Sequence, residues 1–249
     1  MAGRIAAGGW LRELRAVPDP RTVLVCFPPG GGSASAYRAL AQQIRSDTAV
    51  FAVQYPGRQD RLGEPLLTDL RVLADRVVPE LSVGAPRLAL FGHSMGSTVA
   101  FETARRLESA GRQLVRLFVS GRIAPDAAYV GAIHQAPDAE VIAELERLAN
   151  DPASVAILRS EPSLAELVLP AVRADYQAVE TYEFEPGATL RCDISALLGD
   201  ADPTVTPEQA GEWKRHTTGA FDLSTLPGRH FYLDEKVSEV ATFINERLA

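Results

Sequence analysis

The sequence predicts an α/β fold in which a mostly parallel central sheet is flanked by helices. Three observations carry that expectation. Short apolar runs alternate along the chain with helix-length amphipathic segments, the rhythm of right-handed βαβ units. The runs at 22–27, 49–54, 87–91 and 114–119 are continuously apolar rather than alternating, as strands buried on both faces require. Glycine- and proline-containing turns sit at the carboxyl ends of several runs, where ligands bind in such sheets.

In chain order, residues 1–20 read as an irregular lead-in. The first strand, 22–27, ends in Pro28-Pro29-Gly30-Gly31-Gly32-Ser33, and a helix follows over about 34–45. The strand at 49–54 runs into a polar loop, Tyr55-Pro56-Gly57-Arg58-Gln59-Asp60-Arg61. Thr68 caps an amphipathic helix that reaches Leu81. The strand at 87–91 leads into Gly92-His93-Ser94-Met95-Gly96, then a helix over 97–111 closed by Gly111, then the strand at 114–119.

Residues 121–188 break this rhythm. One helix opens at Pro137-Asp138 and reaches Leu148, Asp151-Pro152 breaks it, and a second spans 163–180. With no strand between them, they form a helical insertion over the sheet edge, expected to act as a lid. The sheet resumes at 192–198, followed by Gly199-Asp200-Ala201-Asp202-Pro203. Thr206 with Pro207 opens a helix to His216. A strand at 221–226 ends in Pro227-Gly228-Arg229-His230, and a helix over 235–247 closes the chain. A single domain over 1–249 is the economical organisation.

Composition narrows the function. The chain has 249 residues, 46% hydrophobic and 23% charged, enough for a sizeable core; aromatics at 7% make that core mostly Leu, Val and Ala. The net charge of −7 disfavours nucleic acid as a partner. No run approaches the length of a membrane span, and no targeting segment precedes the first strand. Cys26 and Cys192 lie in apolar runs and read as buried free thiols of a reducing, cytoplasmic setting. The histidines form no metal spacing, so neither a metal nor a cofactor is expected.

The chemistry centres on Ser94. G-x-S-x-G between a strand and a helix is the context in which a serine sits on a strained turn and projects its hydroxyl above the sheet. Close packing there leaves room only for hydrogen at Gly92 and Gly96. A serine needs a general base and an acid that orients it. Of the histidines after Ser94, His134 lies in the insertion and His216 ends a helix as a solvated charge. His230 follows a strand in a glycine-containing loop, where a base belongs. The acid is Asp200 or Asp202, which spacing does not separate; the other serves the turn. Backbone N–H groups of Met95 and of the 27–32 loop would form the oxyanion hole. Pro28 and Pro29 have none to give, so Gly30 is the first donor and Gly31 the next.

These segments, together with Leu169-Pro170-Ala171-Val172-Arg173-Ala174-Asp175-Tyr176 and Gly228-Arg229-His230-Phe231, resemble the type II thioesterases, stand-alone α/β-hydrolases that accompany polyketide and nonribosomal-peptide synthases. The resemblance runs from about Trp10 to the last helix. It implies hydrolysis of stalled or wrong acyl groups from the phosphopantetheine arm of an acyl or peptidyl carrier protein, by a monomer without cofactor. It also implies Asp202 as the acid, from the family's Gly-x-x-Asp. One departure is Pro29-Gly30, where the family often has His-Ala or Phe-Ala. Arg58 and Arg61, two arginines on one loop of an acidic protein, are expected to be exposed and to meet the carrier or the phosphate of the arm; intramolecular salt bridges are the plain alternative. Two rival functions share the motifs: a small-molecule carboxylesterase or lipase, and a non-catalytic binding module of the same fold.

Overall fold

The computed structural model describes Ile5 and residues 8–81, 87–187 and 189–249. Seven strands form one sheet in the order β1-β3-β2-β4-β5-β6-β7. They are β1 (Leu11–Arg15), β2 (Thr22–Phe27), β3 (Thr48–Val53), β4 (Leu88–His93), β5 (Arg116–Ser120), β6 (Asp193–Gly199) and β7 (Phe221–Leu226). Every pairing is parallel except β1 with β3. All residues of β2, β3 and β4 are buried, which is why those runs carry no polar alternation.

Helices cover both faces. Those up to β6 are α1 (Arg38–Gln43), α2 (Leu70–Leu81), α3 (Met95–Ser109), α4 (Asp138–Leu148), α5 (Pro152–Ser160) and α6 (Pro162–Glu180); α7 (Pro207–Gly211), α8 (Tyr232–Glu235) and α9 (Val237–Arg247) follow it. Val23, Val25 and Phe27 of β2 point into a core shared with α2 and α3, while Leu24 and Cys26 face the layer of α1 and α9. Cys26 and Cys192 are both buried free thiols, and burial raises both well above the ordinary thiol range. No helix among the described residues is long and apolar enough to cross a membrane.

The order of the strands fixes where a site can form. The chain moves outward from β2 to β3, then returns to place β4 on the other side of β2. Phe27 and Gly92 are paired, so the loop after β2 and the turn after β4 emerge side by side. This is the switch point at which doubly wound sheets bind ligands.

Three expectations are corrected here. The lead-in is not wholly irregular: Leu11–Arg15 is an edge strand, and its Leu11 is fully buried. Its remaining residues are mostly charged, which suits an edge but hides a strand from an apolar-run criterion. Asp151-Pro152 does more than break a helix. Asp151 accepts a hydrogen bond from the Ala153 N–H at 3.1 Å and caps α5, with Pro152 at its first position. Finally, His216 is not a solvated charge: it is buried, with Nε2 2.9 Å from Asp126 Oδ1.

Candidate active site

The turn after β4 has the predicted strain. Ser94 has φ 53° and ψ −123°, a region costing a non-glycine residue about 1–3 kcal/mol. A Cβ on Gly96 would lie 2.0 Å from the Phe27 carbonyl oxygen, and one on Gly92 2.3 Å from the Gly96 oxygen, so both must be glycine. Ser120 locks the turn to β5: its carbonyl accepts from the Ser94 N–H at 2.8 Å, its N–H donates to Ser97 Oγ at 3.0 Å, and the Ser97 hydroxyl donates to Gly92 O at 2.8 Å. Met95 is the first residue of α3, where the N–H has no carbonyl one turn back.

His230 lies in the loop after β7, beside Asp202 from the loop after β6. The His230 Nδ1–H donates to Asp202 Oδ2 at 2.9 Å, and both side chains are essentially inaccessible. The other Asp202 oxygen accepts from the Thr204 N–H (2.8 Å) and hydroxyl (2.7 Å). Burial acts to raise the Asp202 pKa, but the hydrogen bond and charge of His230 and the bonds from Thr204 outweigh it and hold the carboxyl below the ordinary aspartate value. Asp200 does not meet His230; it accepts from the Gly228 N–H at 3.0 Å and holds the turn.

Ser94, Met95, Gly30 and His230 line one cleft. Its other wall is the helical insertion, which contributes Leu145, Leu148, Tyr176 and Val179. The insertion is fastened on two sides: Asn150 Nδ2 donates to Phe231 O at 2.8 Å beside His230, and Asp175 of α6 reaches the loop after β2.

Asp175 is a residue whose role the sequence does not disclose. It is 1% exposed and accepts from the Gly31 N–H at 2.7 Å and from Arg58 Nη1 and Nη2 at 2.5 and 2.9 Å. Arg58 Nη1 also donates to Gly32 O at 3.3 Å. Of the two glycine donors, therefore, Gly31 is engaged by Asp175, whereas the Gly30 N–H makes no hydrogen bond among the described residues.

Arg58 and Arg61 are buried rather than exposed, so the premise of a carrier-facing arginine pair fails. Arg58 is spent on Asp175. Arg61 forks onto Glu64 at 2.8 and 2.5 Å, donates to Gln54 O at 2.7 Å and lies over the Trp10 ring. His134, set aside by chain order, pairs with Glu180 away from the cleft.

His93, beside the serine, is a further buried group. Its Nδ1 is 2.8 Å from Ser120 Oγ, Nε2 has no hydrogen-bond partner, and its ring is 5.0 Å from that of His230. Burial, with a smaller contribution from the charge of His230, holds it well below the ordinary histidine value. It is thus a neutral ring packed against that of His230. Among the described residues no three metal-ligating side chains converge.

Comparisons with known proteins identify the family. Residues 22–248 match the family model of the thioesterase domain. Thioesterase PikA5 of Streptomyces venezuelae is 41% identical over 98% of this chain and 87% of its own. The solved structure of the type II thioesterase BorB, from the borrelidin biosynthetic cluster, superposes with a TM-score of 0.87 at 44% identity over 96% of this chain and 98% of its own. YbtT, a type II thioesterase from the yersiniabactin NRPS/PKS pathway, gives 0.86 at 31% identity over 96% and 98%. With a family match that reaches from β2 to the last helix, and near-complete overlap with stand-alone relatives, the chain belongs to the thioesterase family, in its type II branch.

Proposed function

We propose that this thioesterase hydrolyses acyl groups from the phosphopantetheine arm of an acyl or peptidyl carrier protein, with Ser94 as nucleophile, His230 as base and Asp202 as the residue that orients the base. The observation that carries the reading is the Asp202–His230 hydrogen bond in the cleft that also holds the strained Ser94. With Nδ1–H committed to Asp202, the other ring nitrogen of His230 is the basic one. It takes the Ser94 proton as Oγ attacks the thioester carbonyl. The N–H groups of Met95 and Gly30 receive the oxyanion. The pantetheine thiol leaves with that proton, His230 then takes one from water, and the acyl-serine is hydrolysed to the free acid. No atom beyond those of water and thioester is consumed.

The chain acts as one domain, with the segment at 121–188 as its lid, and the buried thiols suit a cytoplasmic setting. A carrier substrate is supported by the biosynthetic clusters from which BorB and YbtT come. The test compares hydrolysis of one acyl group on a carrier protein, on coenzyme A and as a nitrophenyl ester, with Ser94→Ala as the blank. The carrier thioester should be preferred and the variant inert. Preference for the simple ester would mean an esterase, and an unreactive Ser94 would mean a binding module.

A further inference from the structure

The helical insertion touches two loops of the cleft. Asp175 of α6 takes the Gly31 N–H, beside the proposed oxyanion donor, at 2.7 Å. Elsewhere in the insertion, residues 149–151 turn the chain from α4 into α5, and this corner meets the loop that carries His230. Two hydrogen bonds join them, one on each side of the histidine. Arg229 Nη2 donates to Arg147 O at 2.5 Å. Asn150 Nδ2 donates at 2.8 Å to Phe231 O, a carbonyl that the Asp234 N–H also meets at 3.1 Å.

The corner is built to hold a fixed place. The Arg147 carbonyl is among the last of α4, which find no partner within the helix, so a cation is favoured there. The Arg147 guanidinium itself forks onto Glu144, one turn back, at 2.7 Å to each oxygen. Leu148 and Ala149 are buried, and Asp151 caps α5. The loop after β7 is tied to the turn after β6 at Gly228, two residues before the histidine: its N–H donates to Asp200 at 3.0 Å and its carbonyl accepts from the Ala201 N–H at 2.9 Å. At Arg229 and Phe231 the ties run to the insertion instead. Leu145 and Leu148 of α4 line the cleft, whereas Asn150 and Arg229 do not, so these two act on the loop and not on a bound acyl group.

From this, and resting on the reading of His230 as the base, we propose that Asn150 and Arg229 are positioning residues: through them the α4–α5 corner holds the loop on either side of His230, and the His230–Asp202 pair is fully aligned only while that corner is seated. A substrate that packs against Leu145 and Leu148 would then complete the base as it binds, which ties catalysis to closure of the lid. The reaction itself is unchanged.

The experiment uses the full chain, as wild type, Asn150→Ala, Arg229→Met, Arg229→Lys and the double variant Asn150→Ala, Arg229→Met. Two readouts are taken well below the melting temperature of each protein: kcat and KM for one acetyl group on a carrier protein, and the low-field proton resonance of the His230 Nδ1–H bonded to Asp202. A misplacement of about 1 Å by a change outside the chemistry costs up to about 100-fold, so the double variant should lose about tenfold to 100-fold in kcat with KM within about twofold of wild type. The single variants Asn150→Ala and Arg229→Met should each lose less, and Arg229→Lys, which keeps a donor for the Arg147 carbonyl, should recover part of the loss. The low-field resonance should broaden in the same order, a change that a merely stabilising contact would not produce in folded protein. A double variant with kcat within about twofold of wild type overturns the proposal. So does a loss of kcat that leaves the resonance sharp and unshifted, or one that falls wholly in KM. A wild type without turnover would instead sink the proposed function, so the two readings fail separately.

Discussion

Replacing Asp175 by Leu tests whether the insertion organises the oxyanion loop. The carboxylate is almost fully buried, accepts both fork nitrogens of Arg58 and takes the Gly31 N–H at 2.7 Å. Its removal leaves a guanidinium buried without its partner, which costs about 3 kcal/mol. For a chain of this size that lowers Tm by about 6–12 °C. It also releases the backbone of Gly31, the neighbour of the proposed Gly30 donor. Complete loss of one oxyanion donor costs about 100- to 1,000-fold in kcat, and a displaced one less, so a loss of about tenfold or more with little change in KM is expected.

The double variant Arg58→Met, Asp175→Leu separates the two effects. It exchanges a buried ion pair for apolar side chains, which restores most or all of the stability. It does not give Gly31 its acceptor back, so kcat stays low. The assays are thermal melting and carrier-thioester turnover well below Tm, with the active fraction counted by fluorophosphonate labelling. Full recovery of kcat in the double variant, or a kcat within twofold of wild type in the single one, would refute the link between Asp175 and the oxyanion loop.

Other outcomes follow from the same geometry. Asp202→Asn should lower kcat by about four orders of magnitude, because an amide in place of the carboxylate disfavours the His230 tautomer that would take the Ser94 proton. Asp200→Asn should stay within a few-fold, since it touches only the Gly228 N–H; comparable losses from both would contradict the assignment of the acid. His93 is held neutral by burial, so the unfolded chain binds its proton first. Its contribution is complete above about pH 6.5 and declines as pH falls from there toward the lower folded value. The slope is at most about 1.4 kcal/mol per pH unit, roughly 3–6 °C per pH unit in Tm. His93→Gln should flatten the melting profile between pH 6.5 and 5, and parallel profiles for the two proteins would rule out a neutral buried His93.

What the sequence disclosed and what it withheld divide by range. The elbow is local: Gly92, Ser94 and Gly96 are dictated by contacts within one turn and the strand beside it, so their spacing carries the whole signal. The helical insertion was legible because strands are missing where the rhythm demands one. The choice between Asp200 and Asp202 was not legible from spacing, because it depends on which side chain faces the loop after β7. Only the family resemblance favoured Asp202. Arg58 was misread for a stronger reason. Its partner lies 117 residues away on a helix that returns over the sheet, and no local pattern reports such a pairing.

The burial of Cys26 and Cys192 bears on the product rather than on the enzyme. Thioester hydrolysis releases a thiol, which a disulfide reagent detects by exchange, and an accessible cysteine of the enzyme would react with the same reagent. Thiolates, not thiols, drive that exchange, and both sulfurs are held protonated and out of reach in the core. A colorimetric disulfide reagent added to the native protein will therefore count the released thiol against a nearly silent background.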